Sequence, residues 1–202
     1  MSYDLPMKKL ILSLLWMPFL LAACATQSPP ANFYVLTPLS QPGGKTIPDM
    51  LIGVGPLNLA DYLDRNQLVS RSGDVSLELD EFHRWAGSLG KNATQVLAED
   101  VSRLLGVDGV LAYPWSSGVD LDYQVILDIN RLDVDADNTV ILDAQWQLFD
   151  QQHGKLLEVH RSHYEVPSAD VSHASVVLAQ SKALAQLAQS LAQAIAAAAG
   201  HD

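Results

Sequence analysis

The chain has 202 residues, of which 49% are hydrophobic and 17% are charged, and its 23 Asp and Glu outnumber its 12 Lys and Arg to give a formal net charge of −11 at pH 7. This balance argues against binding to nucleic acid or to an anionic membrane surface, since both would need a local basic cluster and none follows the first ten residues. The length allows one domain. Because the chain has a single cysteine, no disulfide can form within it, and its own core must hold the fold together.

The N-terminal residues predict a secretory signal. Lys8 and Lys9 precede an apolar run from Leu10 to Ala23 that closes on small residues. The run is shorter than the roughly 20 apolar residues of a transmembrane helix, and Pro18 weakens a helical span. We therefore expect residues 1–23 to form a cleaved signal peptide, with an uncleaved membrane anchor as the alternative.

The end of this run has the form of a bacterial lipobox. Leu21 is followed by two small residues, Ala22 and Ala23, and then by Cys24. We predict cleavage between Ala23 and Cys24 and lipidation of Cys24, because small residues fit a peptidase groove and the thiol accepts a diacylglyceryl group. Two or three acyl chains hold a protein firmly to a bilayer, since each buried CH₂ contributes about 0.8 kcal/mol. The alternative is an ordinary secreted protein with a chance cysteine.

The residues after Cys24 predict a location and a tether. Ala25, rather than an Asp, follows the cysteine, and by similarity to Gram-negative lipoproteins this favours the outer membrane, with the domain on its periplasmic face. Residues 24–32 include two prolines and several small polar residues, which are typical of a flexible tether. We expect the folded domain to span residues 33–200.

Within residues 33–200, apolar residues recur either at every second position, as in strands, or three to four positions apart, as in helices. The patterns predict strands at 33–38, 50–59, 67–71, 74–82, 110–115, 121–129, 140–148 and 157–166, and helices at 88–105 and 172–199. Short polar turns join the last three strands, so we expect an antiparallel meander there. The order of strands, helix, strands and helix predicts a single α+β domain, with a largely antiparallel sheet and two main helices packed on it.

The second predicted helix carries one apolar stripe. Its members recur three or four residues apart and are Val177, Ser181, Leu184, Ala188, Leu191 and Ile195, whereas Gln180 and the other glutamines lie largely off it. We expect the stripe to cover the sheet. Because it is rich in small residues, a helix-mediated oligomer is the alternative.

The sequence predicts no catalytic site, cofactor or metal centre. His160 and His163 lie three apart in a predicted strand and so point to opposite faces, and His83 and His173 fall near predicted element ends. The segment from Asp133 to Asn138 begins like a calcium loop, but Asn138 occupies the position that requires Gly, and Ala144 the position that requires Glu. We therefore expect those aspartates to be solvated at a strand end and turn.

A few residues stand out as candidates for an interaction or a structural role. They are Tyr34, Tyr62, Asp64, Arg65, Arg84 and Trp85. Asp64 with Arg65, and Glu81 with Arg84, are expected to form local ion pairs. Trp85 directly precedes the first helix, where a large aromatic side chain packs the helix start against the sheet; a surface for a partner is the alternative.

Three segments carry a family resemblance: "NFYVLTPL" after the cysteine, "IGVGPLNLADYLDRNQLVSRS", and "LELDEFHRWAGSLGKNATQVLAEDVSRLLG". With them, the chain resembles the ABC-type transport auxiliary lipoproteins from Asn32 to about Ala198. The resemblance implies a non-enzymatic outer-membrane lipoprotein that accompanies an ABC transporter and an MCE-domain protein bridging the envelope. It would act as a docking or exit module for lipid, in contact with phospholipid, and as a ring-forming homo-oligomer.

Two other classes of function stay open at this point. One is a structural envelope lipoprotein that binds other assembly partners. The other is a periplasmic hydrolase with an unrecognised site, which a cleft with perturbed carboxylates would support. An apolar groove or a ring lumen would favour lipid handling over a structural role.

Overall fold

The computed structural model describes residues 29–44, 47–48 and 50–200. The predicted signal peptide, Cys24 and most of the predicted tether lie outside these residues. Contacts between residues group Ala31–Asp202 as one compact unit. No helix in the described ranges is long and apolar enough to cross a membrane.

Eight strands and two helices form the described fold. In chain order they are β1 (Asn32–Tyr34), β2 (Ile52–Leu59), β3 (Gln67–Arg71), β4 (Leu77–Trp85), α1 (Leu89–Leu105), β5 (Val110–Ala112), β6 (Tyr123–Val134), β7 (Thr139–Asp150), β8 (Lys155–Pro167) and α2 (His173–Ala199). The α+β class is confirmed, and both helices start and end within a residue of their predicted bounds. The prediction of a first strand reaching Pro38 was wrong, because β1 ends at Tyr34.

Side-chain caps explain the sharp helix ends. Ser88 Oγ accepts a hydrogen bond from the Lys91 N–H at 3.3 Å, and Ser172 Oγ accepts one from the Ser175 N–H at 3.2 Å. At the end of α1, Gly106 takes a left-handed conformation with φ of 66°, which only glycine adopts at little cost.

The sheet is mixed rather than purely antiparallel. β6, β7 and β8 form the predicted antiparallel meander, and β3 pairs antiparallel with β4. By contrast, β2 runs parallel to both β5 and β6, and β1 runs parallel to β4. The hairpin β3–β4 joins β6 where Ser70 lies opposite Val134. Parallel pairing arises because the chain crosses over through the hairpin and α1 between β2 and β6.

The two helices pack against each other and cover one face of the sheet. Alternate residues of β6 and β7 face them, and these are fully or almost fully buried, as Leu127 and Trp146 show. The predicted stripe of α2 is buried in the same core. Gln180 departs from the prediction, since it is buried and its Nε2 donates a hydrogen bond to the Leu132 carbonyl at 3.0 Å.

Candidate interaction site

A groove of about 580 Å³ opens between the β3–β4 hairpin and the start of α2. Its apolar lining includes Leu68, Leu79, Phe82, Val134, Val171 and Val176. Several of these side chains are open to solvent: Val171 is 85% exposed and Phe82 is 41% exposed. Val75, at the tip of the hairpin, is 94% exposed. Large apolar side chains gathered at one exposed place are typical of a binding surface.

The rim of the groove is acidic. Glu78, Asp80 and Glu81 project from β4, and Asp135 lies on the turn after β6. On the inner wall, the Oε1 atom of the buried Gln180 has no hydrogen-bond partner. The groove therefore combines an apolar floor, a negative rim and an unpaired acceptor.

A bulge in β4 shapes this groove. The register between β3 and β4 jumps, so that Gln67 lies opposite Arg84 while its neighbour Leu68 lies opposite Asp80. Asp80 Oδ1 stabilises the extra residues by accepting hydrogen bonds from the N–H groups of Phe82, at 2.9 Å, and His83, at 3.0 Å. The bulge breaks the strand alternation and brings His83 to the side of Asp80.

A buried ionic cluster fixes the other wall, where the hairpin meets β6. Asp133 is fully buried and accepts hydrogen bonds from Arg131 Nε at 2.8 Å, Arg71 Nε at 3.1 Å and the Tyr62 hydroxyl at 2.6 Å. The prediction of a solvated Asp133 was wrong, because two guanidinium groups and a phenol replace its water. Burial, and then the hydrogen bond to Asp133, raise the pKa of Tyr62 to about 12.

Two of the predicted candidates meet at the start of α1. Tyr34 lies opposite Trp85 in the β1–β4 register, and the Ala86 N–H donates to the Tyr34 carbonyl at 2.9 Å. Trp85 is buried in the core and directly precedes Ala86 and the start of α1.

The other candidates are scattered. Arg84 forms the expected ion pair with Glu81 at 3.1 Å, on the exposed hairpin. Asp64 is exposed, and no ion pair joins it to Arg65 among the residues described. The Arg65 Nε atom is buried and has no hydrogen-bond partner in that range. The predicted residues therefore do not form one site.

A cluster that the sequence analysis missed lies beside the groove. Asp80 Oδ2 is 2.9 Å from His83 Nδ1 and 3.0 Å from His173 Nε2, and the two imidazole rings stack with centroids 3.7 Å apart. Burial tends to raise the pKa of Asp80, but hydrogen bonding from His83 and from the backbone outweighs it, so this pKa lies below its ordinary value. No local spacing reveals the cluster, since His173 is distant in sequence and the bulge is needed to bring His83 to Asp80.

Comparison with solved structures shows the same fold elsewhere. A crystal structure of an uncharacterized protein is 20% identical, with a TM-score of 0.68, and the match covers 83% of this chain and 99% of that one. Protein XCC0632 from Xanthomonas campestris is 16% identical, also with a TM-score of 0.68, over 80% of this chain and 93% of that one. No curated protein matched the sequence.

The family comparison covers most of the domain. The family model described as the ABC-type transport auxiliary lipoprotein component matches residues 34–192, from the end of β1 to the last turns of α2. The matched range includes the groove, the bulge in β4 and the buried ionic cluster. The chain belongs to the ABC-type transport auxiliary lipoprotein family.

Proposed function

We propose that this protein is a non-enzymatic outer-membrane component of an MCE- and ABC-type lipid-transport system, lipidated at Cys24 and facing the periplasm. It docks the periplasmic end of an MCE-domain protein. The observation that carries the proposal is the exposed apolar groove beside the β3–β4 hairpin, in a chain whose family accompanies ABC-type transporters.

Charge decides which kind of partner fits the groove best. The rim carboxylates of Glu78, Glu81 and Asp135, on a chain of net charge −11, would repel the phosphate of a lipid headgroup. An apolar protein segment flanked by Lys or Arg would instead bury its side chains on the floor and pair its charges with the rim. We therefore assign the groove to a segment of the MCE-domain protein; bound phospholipid or a second copy of this chain are outcomes that the test below distinguishes.

The alternative of a hydrolase has no specific support in the groove. The pKa of Asp80, which lines the groove, is lowered, so this residue is held as a carboxylate. A general acid would need the opposite shift. A structural envelope lipoprotein would also use an apolar groove, and it differs from the proposal only in the identity of the partner.

The partner is tested by using the full-length lipidated protein as bait in detergent-solubilised envelopes, with mass spectrometry of the recovered proteins and lipids. We expect an MCE-domain protein to be recovered. Phospholipid without that protein would point to direct lipid binding, and recovery of the bait alone, under conditions that preserve other envelope complexes, would contradict the proposal.

The anchor is tested separately with Cys24→Ser. Without the thiol no diacylglyceryl group can be attached, so the variant should leave the membrane fraction and appear in the periplasmic extract. Retention of the variant in the outer-membrane fraction would contradict anchoring through this residue. A Ser28→Ala variant, changed in the predicted tether, serves as the matched control and should stay with the membrane.

A further inference from the structure

Two histidine side chains contact the same carboxylate oxygen of an aspartate at the edge of the groove. Asp80 Oδ2 lies within 3.0 Å of His83 Nδ1 and of His173 Nε2, and one ligand atom from each of the three residues lies within 4.8 Å of the other two. These residues come from two different elements, because Asp80 and His83 belong to β4 and His173 begins α2. The arrangement depends on both the β4 bulge and the docking of α2.

The donor set and its spacing suit a divalent transition-metal ion. Imidazole nitrogen and carboxylate oxygen are common ligands of Zn²⁺, at about 2.0–2.2 Å, which places neighbouring ligands of a tetrahedral site about 3.3 Å apart. The two measured separations are 2.9 and 3.0 Å. Because the two rings stack nearly parallel, with centroids 3.7 Å apart, one imidazole must also rotate out of the stack for both nitrogen lone pairs to point at one ion.

A second layer of contacts already orients these ligands. The other carboxylate oxygen of Asp80 is held by the N–H groups of Phe82 and His83. The other ring nitrogen of His83 lies 3.4 Å from the side-chain amide of Asn32. The backbone hydrogen bonds fix the orientation of the Asp80 carboxylate, and contacts of this kind increase metal affinity. The Nδ1 atom of His83 is buried, and it lies 2.9 Å from Asp80 Oδ2.

Access and charge also favour a cation. All three side chains keep between a quarter and two-fifths of their surface open to solvent. Asp80 and His173 line the groove, so its volume provides room for a water molecule as a further ligand. The neighbouring rim carboxylates of Glu78 and Glu81 raise the local concentration of cations.

We propose that Asp80, His83 and His173 form a binding site for a divalent transition-metal ion, with Zn²⁺ as the expected ion. The bound ion ties the bulge of β4 to the first turn of α2 and so fixes the width of the groove. This inference does not rest on the proposed function, since it would hold for any partner of the groove.

The test is a titration of the full-length detergent-solubilised protein with Zn²⁺, followed by calorimetry. The protein is purified through a tag without histidine and stripped with a chelator. We expect one Zn²⁺ per chain with a dissociation constant in the micromolar range or below. His83→Gln and His173→Gln should each weaken binding at least tenfold, and Zn²⁺ should raise the melting temperature of the wild type but not of these variants.

Two controls make the outcome specific. His153→Gln removes an exposed histidine that pairs with Asp150, outside the cluster, and it should bind Zn²⁺ as the wild type does. Cys24→Ser removes any contribution from an unmodified thiol. Co²⁺ should give the intense visible absorption of a tetrahedral site in the wild type and lose it in Asp80→Asn. Absence of binding at tens of micromolar Zn²⁺, or binding that survives both His83→Gln and His173→Gln in folded protein, would overturn the proposal.

Discussion

Strands β6 and β7 of the meander and the hairpin β3–β4 belong to one sheet but differ in how far their apolar residues are buried. In the meander, alternate side chains such as Leu127 and Trp146 are buried beneath the helices. In the hairpin, Leu79 and Phe82 remain open to solvent, and a bulge interrupts the alternation. Strands β6 and β7 therefore contribute much of the stability, while Leu79 and Phe82 of the hairpin present an apolar surface and stabilise the domain little. This difference is why we place the binding function on the hairpin.

The largest expected contrast is between the two aromatic residues that represent these regions. Trp146→Ala should reduce the free energy of unfolding by about 3–5 kcal/mol, because it opens a cavity in the core and removes the hydrogen bond from Nε1 to Ser162 Oγ. Phe82→Ala should cost less than about 1 kcal/mol, since much of the ring is already solvated. Urea unfolding measures both. Equal losses would show that the hairpin is part of the stabilising core.

The buried ionic cluster should respond next most strongly. Asp133→Ala leaves Arg71 and Arg131 facing each other without their shared carboxylate, which we expect to cost about 3 kcal/mol. The matched control is Glu81→Ala, which breaks the exposed ion pair with Arg84 and should cost less than about 1 kcal/mol. A loss for Asp133→Ala no larger than that of the control would mean that the cluster does not hold the hairpin to β6.

The first turn of α2 forms one wall of the groove and depends on its cap. Ser172→Ala should cost about 1 kcal/mol, because the Ser175 N–H loses its acceptor. Ser172→Gly should cost only a few tenths of a kcal/mol, since glycine is tolerated at this position. Chemical denaturation of the two variants measures the difference. Identical losses would indicate that the serine side chain does not cap the helix.

The smallest expected effect concerns pH and separates the hairpin from α1. Burial raises the pKa of Asp100 in α1, whereas the pKa of Asp80 in the hairpin is lowered. A carboxyl with a raised pKa binds more protons in the folded than in the unfolded state, so wild-type stability falls as pH rises from the ordinary carboxyl pKa to that of Asp100. Asp100→Asn keeps an acceptor for the Ser40 N–H and removes this loss.

The stability of Asp100→Asn relative to the wild type should therefore increase as pH rises from the ordinary carboxyl pKa to that of Asp100. Unfolding curves at a series of pH values measure the trend. A difference between Asp100→Asn and the wild type that falls as pH rises would contradict the assignment. Asp80 has the opposite effect. Its carboxylate stabilises the folded state, and that stabilisation is lost as pH falls through its lowered pKa.

The sequence predicts those parts of the fold whose cause is local. Both helices follow from apolar spacing with Ser88 and Ser172 as caps, and the meander follows from alternation and short turns. The parallel pairing of β2 with β6 has no local signal, because it depends on where a crossover returns the chain. The groove could not be predicted from the sequence either, because the β4 bulge that shapes it arises from hydrogen bonds between the Asp80 side chain and the backbone.

The burial of polar residues in the core could not be predicted from the sequence either. Asp133 lies in a run of aspartates that is typical of a solvated turn, yet its burial is made favourable by Arg71, which is distant in sequence, together with Arg131 on the same strand. Gln180 lies next to the apolar stripe of α2 and is buried because the Leu132 carbonyl accepts its amide hydrogen. Neither the contact of Arg71 with Asp133 nor that of the Leu132 carbonyl with Gln180 is identifiable before the tertiary fold is known.

The central claim is that the hairpin groove binds the MCE-domain protein, and the most direct test compares two surface variants as bait. Leu79→Ser with Phe82→Ser removes apolar side chains from the groove, whereas Leu156→Ser with Val159→Ser removes exposed ones from β8. Both should unfold at nearly the wild-type denaturant concentration.

The account predicts that the groove variant recovers at least tenfold less MCE-domain protein from solubilised envelopes than the wild type, and that the β8 variant recovers it normally. The account would be contradicted if the groove variant still recovered the MCE-domain protein and the β8 variant did not.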